Sequence, residues 1–188
     1  DWLWENKPYF EQYTKRVFGT DGLNVPGVAT LRGHEMGGWH MYAMSPTVSC
    51  WLTQHFYWQW RYSMDTDFLK KRAYSWISAV AKHIEQLTVL DNGIRTLPMS
   101  SSPEFHDGGI NAWFLDMTNY DRALTAYVFK IASEMAGTLG LHEEAAHWAL
   151  TGSQIPSVDV DTATGITIAP GFPMNESHRH FSHLMAFH

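Results

Sequence analysis

Three stretches of this 188-residue chain carry residue types at spacings that can do chemistry. The first is Ser100-Ser101-Ser102-Pro103-Glu104-Phe105, a carboxyl placed after a proline and flanked by Phe105, His106 and Trp113. Against an apolar wall such a carboxyl holds its proton to higher pH and acts as a general acid; in open solvent it is an ordinary loop carboxylate. The second is His178-Arg179-His180-Phe181-Ser182-His183, three imidazoles and a guanidinium close together. That cluster can bind an anion, hydrogen-bond vicinal hydroxyls, ligate a metal, or serve structure alone. In the metal reading His178 and His180 share one side of an extended segment, with Glu176 as the carboxylate ligand. The third stretch, His34-Glu35-Met36-Gly37-Gly38-Trp39-His40, is not the zinc pattern His-Glu-x-x-His, because its second histidine arrives two positions late.

Composition removes other chemistries. The single cysteine, Cys50, excludes an internal disulfide and any multi-cysteine zinc site. No Gly-x-Ser-x-Gly elbow supports a serine triad, and neither Gly-x-Gly-x-x-Gly nor a phosphate loop supports a nucleotide, so no cofactor is expected. Thirteen Lys+Arg against nineteen Asp+Glu give a net charge of −6, which argues against a nucleic-acid partner. No apolar run reaches the roughly 18 residues of a membrane span, and residues 1–13 lack the basic start and apolar centre of a signal peptide. Nine Trp, eight Tyr, ten Phe and eleven His supply flat faces that suit a sugar-stacking cleft and an ordinary core alike.

The elements that position these residues read as helices joined by long loops. Residues 1–18 have loosely helical spacing interrupted at Pro8. Val48, Trp51, Leu52, His55, Phe56 and Trp58 predict a helix over 47–61 whose aromatics run nearly all round it, implying burial on more than one side. Asp65-Thr66-Asp67 reads as a cap before the stripe Phe68, Leu69, Ala73, Trp76, Ile77, Val80, Ile84 and Leu87. Asp91-Asn92-Gly93 breaks that helix, and residues 95–111 read as a loop. A helix over about 116–139 ends at Gly140 and a short one follows at 142–151. Alternation in 158–160 and 166–168 predicts a small hairpin, and 181–188 read as a final helix. No repeat or linker divides the chain. The candidate chemistry falls in the loops at 33–46, 98–111 and 171–180, and long loops in compact domains are uncommon unless functional.

His178-Arg179-His180-x-Ser182-His183-Leu184 resembles the His-Arg-His-x-Ser-His-Leu signature of glycoside hydrolase family 95, the α-L-fucosidase and α-L-galactosidase group. Ser102-Pro103-Glu104 is similar to that family's Ser-Pro-Glu segment. Upstream, Trp51-Leu52-Thr53-Gln54-His55 followed by Asp65-Thr66-Asp67-Phe68-Leu69 resembles its helix pair, a pattern shared by many six-hairpin glycosidases.

The resemblance implies an all-α fold, part of an (α/α)6 barrel (six-hairpin toroid) with a small β-hairpin decoration. It also implies an inverting exo-glycosidase that removes an α-linked fucose or galactose-type sugar from an oligosaccharide or polysaccharide. In such chemistry an acid protonates the glycosidic oxygen while a carboxylate roughly 6.5–9.5 Å away activates water. Glu104 matches the acid. The family's Glu-Trp-x-x-Asp segment has no counterpart, since residues 166–177 contain one acidic side chain, Glu176. Glu176 is then a displaced base, a sugar-hydroxyl acceptor, or a charge held by Arg179. His178, Arg179, His180 and His183 would orient sugar hydroxyls, and Trp39 or Trp113 would stack on a ring. Twelve barrel helices need more chain than this, so residues 1–188 are expected to be the later half of a barrel whose remainder lies on missing chain. Enzymes of this type are often exported, which favours an extracytoplasmic location. The rival expectation is a non-catalytic carbohydrate-binding or structural helical module.

Overall fold

The computed structural model describes residues 1–107, 109–178 and 180–187. The chain opens with α1 (Trp2–Glu5) and α2 (Lys7–Phe18). Pro8 does not interrupt the second helix; it sits in its first turn, where an N–H has no intrahelical partner to lose. A loop containing the short helix α3 (His40–Ala43) leads to α4 (Val48–Ser63), and then α5 (Thr66–Phe68), a π-helical turn (Leu69–Ala73) and α6 (Tyr74–Leu87) follow one another. The Asp65 side chain caps this run by accepting the Phe68 N–H at 3.0 Å. After the loops come α7 (Asn119–Thr138) and α8 (His142–Ser153), a helical hairpin turned at Gly140, whose φ of 75° suits glycine. The turn is closed by the Leu141 N–H bonded to the Ala136 carbonyl at 2.9 Å.

Periodicity places the core. On α6, Trp76, Ile77, Val80, Ala81 and Ile84 are fully buried, and Trp76 lies stacked on Phe56 of α4 at 4.6 Å with Phe10 of α2 edge-on at 6.2 Å. On α7, Leu124, Val128, Ala132 and Met135 form the matching stripe, and Phe129 stacks on Trp148 of α8 at 6.0 Å. Contrary to the expected burial on more than one side, α4 buries a single face of Cys50, Thr53, Phe56 and Trp60, while Trp51, Trp58 and Tyr62 are exposed. The fold is all-α in its body, as part of an α/α toroid, and among the described residues the helices do not close a barrel. None of these helices is long and apolar enough to cross a membrane.

Among the described residues, three two-stranded antiparallel sheets decorate the helices. The expected break at Asp91-Asn92-Gly93 is the turn of a hairpin of β1 (Val89–Asp91) and β2 (Ile94–Thr96), with Asn92 and Gly93 both at positive φ as a type I′ turn requires. The stretch 95–111, expected to be loop, contains β3 (Ser100–Ser101), paired with β4 (Trp113–Phe114). The expected hairpin forms as β5 (Val160–Asp161) and β6 (Gly165–Ile166), shorter than the alternation suggests. Asp161 Oδ1 holds its turn by accepting the N–H groups of Ala163 and Thr164 at 2.9 and 2.8 Å. The final segment is a 3-10 helix (Ser182–Phe187) rather than an α-helix, packed on α7.

Candidate active site

The serine-rich segment is anchored before it reaches its glutamate. Ser100, in β3, takes the N–H of Thr118 on its Oγ at 2.9 Å and donates to Asp121 Oδ2 at 2.5 Å. Ser102, fully buried, bonds its hydroxyl to that of Ser182, 80 positions along the chain. Pro103 then turns the backbone, and Glu104 sits at φ 57°, ψ 10°, with its N–H on Met41 Sδ at 3.0 Å. His106 and Asp107 are also left-handed, at φ 51° and 50°. Each such non-glycine residue costs on the order of 1–2 kcal/mol, so three in four positions persist only where neighbours fix them.

Those neighbours come from the histidine segment, from Glu176 just before it and from Asn111. Glu104 Oε2 bonds His180 Nε2. His106 places Nε2 on Glu176 Oε1 at 2.8 Å and Nδ1 on the Asn111 carbonyl at 2.9 Å. Both ring nitrogens therefore face acceptors, and the Asn111 carbonyl first, then the Glu176 carboxylate, raise the His106 pKa above the usual histidine value. Phe105 is buried between, 5.4 Å edge-on from His178 and 5.7 Å from Phe114, in a small apolar cluster with Ile168 and Ala169.

Two concavities meet at the Glu104–His180 pair. The first, of about 310 Å³, is lined by Glu104, Phe105, His106, Asp107, Glu176, Ser177 and His178. The second, of about 330 Å³, has an apolar and aromatic wall of Tyr42, Val48, Trp51, Tyr120, Phe181 and Met185, and Pro103 and His180 also line it. Gly27 also lines it, and only glycine fits there, because a Cβ would fall 2.0 Å from the Tyr42 carbonyl oxygen. A larger concavity at Trp2, Trp4, Phe68 and Arg72 contains none of the candidate site residues.

Of the residues singled out in the sequence, the structure brings Glu104, Glu176 and His178 to one cavity and joins His180 to Glu104. His183 lines neither cavity: it is buried in the 3-10 segment, and burial, with the nearby His178, lowers its pKa. Trp39 is exposed and stacks on Tyr42, and Trp113 is half-buried in β4; neither lines either of these two cavities. Arg179 lies outside the described residues. Sequence reading passed over the His106–Glu176 pair, the Tyr42–Trp51–Tyr120 wall and Asp121. Only the last had a local signal: Thr118-x-x-Asp121 is a helix-start pattern, and Thr118 Oγ1 accepts the Asp121 N–H at 3.3 Å.

The two segments that meet here are the same two that carried the family resemblance. The model of the glycosyl hydrolase family 95 catalytic domain matches residues 1–188. The chain belongs to that family. It is thus a glycoside hydrolase domain acting on carbohydrate, and in this family 95 chain the Ser-Pro-Glu and His-x-His-x-Ser segments are bonded to each other at a carboxylate-lined cavity. No curated protein matches it.

Proposed function

We propose that this domain is an inverting exo-glycosidase that removes an α-linked fucose or galactose-type sugar from a glycan, with Glu104 as the general acid. The observation that carries this reading is the Glu104–His180 bond at the meeting point of the two cavities. His180 fixes the Glu104 carboxyl through Oε2, and the left-handed backbone holds it in place. In the reaction the Glu104 proton passes to the glycosidic oxygen as the bond to the anomeric carbon breaks. Water adds to that carbon from the opposite face and yields its proton to a carboxylate.

A base must face the acid across the ring. Asp107 sits on the acid's own loop, whereas Glu176 enters the cavity from the other segment, held by His106. Glu176 is accordingly the candidate base, and His178, with Arg179, a candidate for sugar hydroxyls. The apolar and aromatic wall of Tyr42, Trp51 and Tyr120 suits the less polar face of a sugar ring. In this reading residues 1–188 supply the later half of a helical barrel, in keeping with the open helical wall.

The test is hydrolysis of a panel of aryl α-L-fucosides and α-L-galactosides by the protein at its full natural length, with NMR of the first-formed anomer. Inverted product is expected, and Glu104→Gln should lower turnover of substrates with poor leaving groups by about 10²–10⁴. Retained product, or unchanged turnover in Glu104→Gln, would overturn the reading; sugar binding with no turnover would mark a binding module.

A further inference from the structure

Asp121 reaches neither cavity. It lies in the first turn of α7, 3% exposed, and its oxygens are taken up by groups from two other elements. Thr47, immediately before α4, donates its hydroxyl to Oδ1, and Ser100 of β3 donates to Oδ2 at 2.5 Å. The Ser101 backbone N–H adds a further hydrogen bond. Thr118 ties the same corner from the α7 side, accepting through Oγ1 from Asp121 N–H and bonding the Ser101 carbonyl at 3.0 Å. From this clamp the chain runs only four positions, through Ser102 and Pro103, to Glu104.

Stability alone does not account for such a group. Burying a carboxylate costs several kcal/mol that hydroxyl partners only partly offset, and an apolar residue in a helix's first turn would avoid the cost. What the carboxylate provides is direction. It fixes the starts of two helices and one strand at a single point, with acceptors that hold two hydroxyls and one N–H in fixed orientations. A proton donor displaced by 1 Å loses on the order of 10²-fold in rate, so the height of β3 matters to the glutamate that follows it.

We infer that Asp121 is a positioning residue for the Glu104 proton donor, acting through Ser100 and β3. The inference rests on the reading of Glu104 as the acid, and the test separates the two. The full-length protein is assayed on the sugar selected by the panel above, as its 2,4-dinitrophenyl α-glycoside, whose leaving group needs no proton, and as its methyl α-glycoside, whose leaving group does. Asp121→Asn should lower kcat on the methyl glycoside by about 10- to 100-fold. It should change kcat on the dinitrophenyl glycoside, and KM on both, by less than about threefold. Ser100→Ala cuts the same link from the strand side, should show the same signature, and carries the test if Asp121→Asn does not fold.

Equal losses on both substrates would mean general damage and overturn the inference, as would no loss on either. Glu104→Gln is run alongside. If it discriminates between the leaving groups and Asp121→Asn and Ser100→Ala do not, the positioning role alone fails. If Glu104→Gln does not discriminate, or no panel sugar is turned over, the acid assignment fails and this inference with it.

Discussion

The helical body and the shelf that carries the carboxylates are held by different forces. In the body, Trp76 packs between Phe56 and Phe10, and Leu124, Val128 and Met135 line the facing helix, with no hydrogen bond needed to fix them. On the shelf, Ser102 bonds Ser182, Glu104 bonds His180, His106 bonds Glu176, and three non-glycine residues sit at positive φ. Apolar burial is strong and nearly non-directional; hydrogen bonds contribute little net stability each but define orientation. Stability and chemistry should therefore be separable by mutation in this molecule.

The largest effect tests the body. Trp76→Ala should cost about 3–5 kcal/mol, the usual range for deleting a buried aromatic ring. The readout is the midpoint of chemical denaturation, with kcat measured well below the transition. Lower stability with kcat per folded molecule unchanged keeps the two regions separate. A parallel fall in kcat would show that the core sets the shelf's geometry directly.

A second effect, of about 3 kcal/mol for each of two groups, comes from buried titrating side chains on either side of the boundary. His83 of α6 is packed under Phe18 with Nδ1 on Thr20, and burial lowers its pKa from 6.5 to about 4. The unfolded chain takes up that proton first, so the fold loses stability as pH falls from 6.5 towards 4. Asp121 has the opposite sign: burial raises its pKa from 3.8 to about 6, so the fold loses stability as pH rises over that interval. The two slopes nearly cancel, and the intact protein should show a flat contribution from this pair. His83→Leu should expose the Asp121 slope, with stability falling from pH 4 to 6. Asp121→Asn should expose the His83 slope, with stability rising to pH 6.5. Denaturation midpoints against pH decide it, and matching slopes in both variants would sink the assignment.

The division also explains what was legible in the sequence. Helices at α4, α6, α7 and α8 follow from apolar spacing, because periodicity records the same non-directional burial that holds them. The β1–β2 hairpin is readable in principle from Asn92-Gly93 between Val89-Leu90 and Ile94, but next to a helix end the dipeptide reads equally as a stop. The shelf carries no period. Glu104 and His180 are 76 positions apart, and nothing local says that they touch; the likeness of both segments to one family is what links them most specifically. Trp39 and Trp113 are aromatic side chains beside the site loops, yet the aromatic wall is built from Tyr42, Trp51 and Tyr120. Trp51 belongs to a helix whose burial the spacing overstated, and its exposed face is the one that lines the cavity.

The smallest effect is the sharpest test of the shelf. Ser102 and Ser182 are both buried and bond each other, the one in the glutamate segment and the other in the histidine segment. Ser102→Ala leaves the Ser182 hydroxyl without this partner, and Ser182→Ala does the converse, so each single change should cost about 1–2 kcal/mol in stability. Removing both hydroxyls leaves no orphan, so the double variant should be no less stable than either single one, a coupling of roughly 1 kcal/mol in a denaturation cycle. Activity should behave otherwise. The cross-link that sets the spacing of Glu104 and His180 is absent in all three variants, so kcat should fall in all three, and the double variant should not recover it. Recovery of kcat along with stability would mean that the serine pair fills space and that the carboxylate and imidazole find each other without it.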